Sequence, residues 1–174
     1  MDILKQYRIP FTGLKVGHHL FRFDITEEFF KAFSDAETGK KQVQVDVDFE
    51  KRENFFVVGF SIEGTVRVEC DRCLETFDQP ILDEFTVYVK YSDDLKLKKE
   101  EDEDIIYISR NDVYIDLSQM IYDFILLSIP VRRVCIPKED GSPGCNEQVL
   151  KILENKQQKP FETDPRWAAL KNLK

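Results

Sequence analysis

With 174 residues, 42% hydrophobic and 12% aromatic, the chain is long enough to bury one core, which excludes disorder throughout and makes a single domain over 1–174 the expectation. The opening MDILKQYRIP has neither the basic start nor the apolar run of a signal peptide. No stretch approaches the roughly 18 apolar residues that cross a bilayer, so a cytoplasmic protein without membrane contact is expected. The formal net charge of −8 argues against nonspecific nucleic-acid binding over the whole surface.

That charge is unevenly spread. The run DDLKLKKEEDED (93–104) has seven acids and three lysines and is expected to be a mobile loop, because like charges repel and little there can be buried. From Ile129 to Lys174, nine basic residues stand against six acidic ones, +3, which leaves −11 on residues 1–128. The chain thus has an acidic body and a basic C-terminal tail over 156–174.

In chain order, HLFRFDI alternates Phe21, Phe23 and Ile25 with polar residues, as a half-buried strand does. Asp24 with Glu27 has capping-box spacing ahead of a short helix carrying Phe29, Phe30 and Phe33, closed by Gly39. QVQVDVDF (42–49) places Val43, Val45, Val47 and Phe49 on one face and predicts a strand. NFFVVGFSI and GTVRVEC read as two further strands, with turns at 52–54 and at Gly64, and ILDEFTVYVKY as another. IIYIS and VYID read as a pair joined by Arg110–Asn111–Asp112, and short connections imply antiparallel pairing.

The period then changes. Asp116 and Gln119 have capping-box spacing, and Leu117, Met120, Ile121, Phe124 and Ile125 form the stripe of a helix with one buried face, ended by Pro130. A loop rich in Pro and Gly follows, then a helix over about 146–155 and a short one opened by Asp164–Pro165. Strands first and helices later predict an α+β fold: a curled or barrel-like antiparallel sheet with a covering helix and C-terminal helices.

VECDRCLE (68–75) holds the chain's one CxxC. A thioredoxin-type pair needs its first cysteine at a helix N-terminus, whereas here a strand precedes and Pro80 follows closely. The same spacing lets two thiolates face one cation, with Cys135 and Cys145 available to complete a tetrahedral zinc site; cysteines packed as small hydrophobes are the alternative. His18 and His19 could supply at most one ligand, since neighbours on a strand face opposite ways. No Gly-rich phosphate loop, nucleophile elbow or HExxH is present. The Asp46/Asp48 pair reads as a solvated strand face.

Three segments together resemble one family. VRVECDRCLETF is similar to the V-x-L-x-C-x-R-C-L-E signature of YceD-like proteins, the large ribosomal RNA subunit accumulation proteins. IDLSQMIYDFILLSIPVRRVC resembles their Leu-rich segment ending in Leu-Pro before a cysteine, and DPRWAALKNLK their closing D-P-R-[FW]-x-x-L-x-x-L. The resemblance implies a non-enzymatic role in accumulation or processing of large-subunit rRNA, with no small-molecule substrate. It also implies a second cysteine cluster, hence one structural Zn2+ on Cys70, Cys73, Cys135 and Cys145. The chain departs from the family pattern in the wide spacing of its second pair and in Gln119 and Tyr122, which stand where acids are usual. The partner implied is precursor rRNA or a large-subunit ribosomal protein. Arg67, Arg72, Arg132, Arg133 and Trp167 are the contact candidates, arginine being suited to phosphate by its paired donors. An acidic protein–protein adaptor with an indirect effect on rRNA is the alternative, favoured by the charge on residues 1–128.

Overall fold

The computed structural model describes residues 3–33, 41–92, 105–138 and 140–157. Contacts divide the chain into two compact units, Met1–Glu69 with Thr76–Arg133, and Cys70–Glu75 with Val134–Lys174.

The first unit is built on a five-stranded sheet of β2 (Gly17–Ile25), β3 (Lys41–Lys51), β4 (Phe55–Glu69), β5 (Thr76–Tyr91) and β6 (Ile105–Ile108), in that order. The period-2 pattern decides which face is inside: Val43, Val45, Val47 and Phe49 of β3 are buried, as are Phe56, Val58, Phe60 and Ile62 of β4. A fully buried side chain of this size contributes about 1.5–3 kcal/mol. The α+β class expected from the sequence is the one that forms. The sheet, however, is open and mixed: β2 and β6 are its edges, not joined into a barrel, and β6 runs parallel to β5.

The expected turn at Gly64 does not exist, because Gly64 lies inside β4 opposite Val43. A Cβ there would run into the carbonyl oxygen of Gln42 and lie 2.7 Å from Val43 Cα. Glycine in a strand here marks close backbone approach. The expected pair 105–109 with 113–116 does not form either. β7 (Ile115–Asp116) pairs instead with β1 (Arg8–Ile9), which follows a 3-10 turn at Ile3–Tyr7.

Helix α2 (Ser118–Leu127) buries Ile121 and Ile125, with Leu117 buried just before it and Met120 and Phe124 partly buried against the core, the stripe its sequence predicts. Phe124 stacks on Phe85 at 4.4 Å and meets Phe60 edge-on at 5.0 Å, which sets α2 on the β4–β5 face. Its start differs from a capping box: the Asp116 carboxylate accepts the Ser118 N–H (3.0 Å), and Gln119 donates forward to Asp123 (2.9 Å). Tyr122 stacks on Phe33 at 4.5 Å, next to the six-residue α1 (Glu27–Ala32), so an aromatic here serves packing. Thr26, not Asp24, precedes α1, and it makes no side-chain cap bond.

In the second unit α3 (Glu147–Gln157) is described. The acidic run 93–104, Gly39 and residues 158–174, with the expected helix at Asp164, lie outside the described residues. No helix among the described residues is long and apolar enough to cross a membrane.

Candidate metal centre

All four cysteines belong to the second unit, on two arms. The first arm is the turn Cys70–Glu75, which in sequence connects β4 to β5. It closes on itself: the Cys70 N–H donates to the Glu75 carbonyl and the Leu74 N–H to the Cys70 carbonyl, both at 2.9 Å. The reversal puts Leu74 in the left-handed region, φ 64°, where no other described residue except glycine has a positive φ. For an L-residue this costs about 1–2 kcal/mol.

The second arm carries Cys135 and Cys145. Its loop is closed by Lys138 N–H to the Ser142 carbonyl and Gly141 N–H to the Lys138 carbonyl, both 2.9 Å, with Gly141 at φ 79°. At Gly144 a Cβ would run into the Ile136 carbonyl oxygen and lie 3.3 Å from Cys135 Cβ. Glycine is what lets the stretches bearing Cys135 and Cys145 converge. Asn146 then caps α3 by accepting the Gln148 N–H (2.9 Å) and donates from Nδ2 to Glu75 Oε1 (2.7 Å), tying one arm to the other.

The four Sγ atoms all lie within 4.8 Å of one another. Cys70 and Cys145 are 3.8 Å apart, Cys73 and Cys135 3.6 Å. Four thiolates at a zinc–sulfur distance of about 2.3 Å on a tetrahedron are separated by roughly 3.8 Å, whereas a disulfide bond is about 2.05 Å. The cysteines are free thiols at the spacing of a closed S4 site. Both of these contacts join one arm to the other, so the four thiols form one cluster rather than two separate pairs.

Electrostatics within the cluster are uneven. Burial works to push the Cys70 thiol up, but backbone N–H groups of Cys73, Arg72 and Cys135 favour its thiolate and bring it from 9.0 down to about 6. The Arg72 and Cys135 N–H groups lie 3.4 Å from Cys70 Sγ. Burial pushes Cys135 and Cys145 up, reinforced for both by hydrogen bonding to Cys70 and Cys73. The environment thus favours the thiolate at Cys70 and disfavours it at Cys135 and Cys145, whose ionisation a cation would assist. A soft, closed, four-sulfur donor set suits zinc in a structural role and leaves no open coordination position for catalysis.

Arg72 is exposed on the first arm, and its guanidinium has no hydrogen bond or ion pair among the described residues. A cavity of about 380 Å3 adjoins it, lined by Arg72, Val134, Pro137, Pro143 and the two cysteines of the second arm together with glycine backbone. Arg67, Arg132 and Arg133 belong to the first unit. Arg67 pairs with Asp78 at 3.3 Å, while Arg132 is exposed and Arg133 half-buried. Trp167 lies outside the described residues. His18 bonds to Asp48 (3.0 Å) and His19 to the Lys15 carbonyl (2.8 Å), so neither is part of the cluster. Leu74, Gly144 and Asn146 are the site residues that sequence reasoning misses. The glycine immediately before Cys145 was the one available signal.

The profile described as large ribosomal RNA subunit accumulation protein YceD matches residues 58–174, from within β4 through both cysteine arms. The chain belongs to the YceD family. Its YceD segment contains the four cysteines and α2, and β2 and β3 lie before it. Membership ties the chain to accumulation of large-subunit ribosomal RNA, in a family described by that role and not by an enzymatic activity. No curated protein and no solved structure matches the chain.

Proposed function

We propose that the chain is a non-enzymatic, cytoplasmic ribosome-biogenesis factor that supports accumulation or processing of large-subunit rRNA by direct contact with the precursor. One structural Zn2+ on Cys70, Cys73, Cys135 and Cys145 organises its second unit. The observation that carries this reading is the YceD match over 58–174, the span that includes all four cysteines. Arg72 and Arg132, exposed and without an acid partner among the described residues, offer paired donors to phosphate, with Arg133 and Trp167 as further contacts. Filter binding of the full chain to large-subunit rRNA fragments across a salt series tests it. Affinity that falls with log salt is expected, and no affinity even at low salt sinks direct RNA contact.

A second reading, a protein adaptor for a basic large-subunit ribosomal protein, is favoured by one observation. The outward face of the sheet carries Asp46, Asp48, Glu63 and Glu84 on three adjacent strands, with Arg22 already paired to Asp46 at 2.6 Å. Co-purification of a ribosomal protein that survives nuclease treatment separates this reading from the first.

A further inference from the structure

We propose that the Cys70–Glu75 turn is an RNA-contacting surface that takes an unpaired strand, with a phosphate on Arg72 and a base or ribose against Leu74. This rests on the direct-RNA reading and names the site within it.

Three observations converge. Leu74 holds a left-handed backbone, φ 64°, while its side chain is 70% exposed. Glycine would make the same reversal without steric cost, and an exposed leucine returns little burial to the fold. Strain kept without a packing return is the mark of a side chain retained for something outside the fold. Two residues earlier, Arg72 presents a guanidinium that has no hydrogen bond or ion pair among the described residues. Of the acids on this turn, Glu75 is taken up by Asn146, and Asp71 is itself engaged.

Beside Arg72 lies the cavity of about 380 Å3, whose named walls are Val134, Pro137, Pro143, glycine backbone and two cysteines, without a carboxylate. That volume is within the range of small-ligand sites. A cation on an apolar recess suits a flat ring joined to a phosphate. A duplex keeps its bases stacked inside, whereas an unpaired strand can splay one out, so single-stranded RNA is the occupant these features fit.

The plainer account is that Arg72 offsets the thiolates' charge and Leu74 is merely tolerated by the turn. Anisotropy titrations of the full-length, zinc-loaded protein separate the two, using single-stranded large-subunit rRNA oligonucleotides and the same sequences as duplexes. Wild type, Arg72→Ala, Arg72→Lys and Leu74→Gly are compared, with zinc content and Tm recorded for each. Single strands are expected to bind more tightly than duplexes, and Arg72→Ala to weaken them about tenfold. Leu74→Gly is the decisive variant. It should raise Tm by about 2–4 °C and keep its zinc, yet bind RNA several-fold more weakly. If Arg72→Ala loses zinc, Arg72→Lys and Leu74→Gly carry the comparison.

Unchanged RNA affinity in the zinc-retaining variants overturns the inference while leaving the direct-RNA reading intact. So does release of a protein partner, instead of RNA, by Leu74→Gly. Wild-type protein that binds no strand at low salt removes both together.

Discussion

In the first unit, apolar side chains from Tyr7 to Ile125 are packed into a continuous core across the sheet, α1 and α2. In the second, the only buried side chains among the described residues are Cys70, Cys73 and Cys145, and the apolar residues of α3 include Ile152 at 56% exposure. With so little apolar burial among the described residues of this unit, a cation shared by the four converging thiols would be a source of order there. The first unit's stability should therefore follow packing, and the second's should follow metal, protons and chelators.

The largest effect expected is from metal removal. Structural zinc contributes on the order of 10 kcal/mol to the fold that binds it, so a chelator should abolish hydrogen-exchange protection in 134–157 while β3 and β4 stay protected. Loss of protection in both units together would break the contrast. Acid should act in the same direction. The Cys70 thiolate, lowered from 9.0 to about 6, stabilises the folded centre fully above pH 9 and loses that contribution as pH falls through about 6. Acid also competes with the metal for the thiolates, so zinc release monitored with a chromogenic chelator should rise as pH falls.

Next in size is Phe60→Ala. Phe60 is 1% exposed and packs edge-on against Phe124, so its truncation should cost about 3–5 kcal/mol in denaturant unfolding of the sheet, with zinc stoichiometry unchanged. Two glycine substitutions sharpen the comparison further, each at about 1–3 kcal/mol by overpacking. Gly64→Ala pushes on the Gln42 backbone and should lower sheet stability with metal retained. Gly144→Ala pushes on the Ile136 backbone and should lower zinc affinity in a competition assay with little change in the sheet. Exchange of these outcomes would contradict the division.

Smallest is Asp116→Asn. Burial works to raise this carboxyl, but Ser118 and Arg8 outweigh it and hold it below 3.8. Its contribution is then present above about pH 4 and lost as pH falls further. Because the side chain is about a third exposed, screening limits the cost to about 1 kcal/mol, read as a neutral-pH Tm difference that closes in acid.

Much of this was legible in sequence where a period is local. The alternation of 42–49 and the stripe Leu117–Ile125 each report their own buried face, so β3 and α2 fall where expected. Gly64 was not legible as a strand residue, because a turn glycine and one facing a neighbouring backbone are identical until the neighbour is known. The pairing of 113–116 likewise depends on the distant Arg8–Ile9 segment, and no short connection announces it. For the site, CxxC marked one arm. The 61 residues between Cys73 and Cys135 are spanned by β5, β6 and α2, so convergence with the second arm is a product of the fold. Leu74's φ leaves no trace in composition at all.

The contrast between the two units rests on whether the four cysteines hold one zinc ion. Native mass spectrometry of the intact protein before and after chelation tests it most directly. The mass of the chain plus one zinc is expected, reverting to the bare chain with chelator. The bare-chain mass in both samples would contradict it.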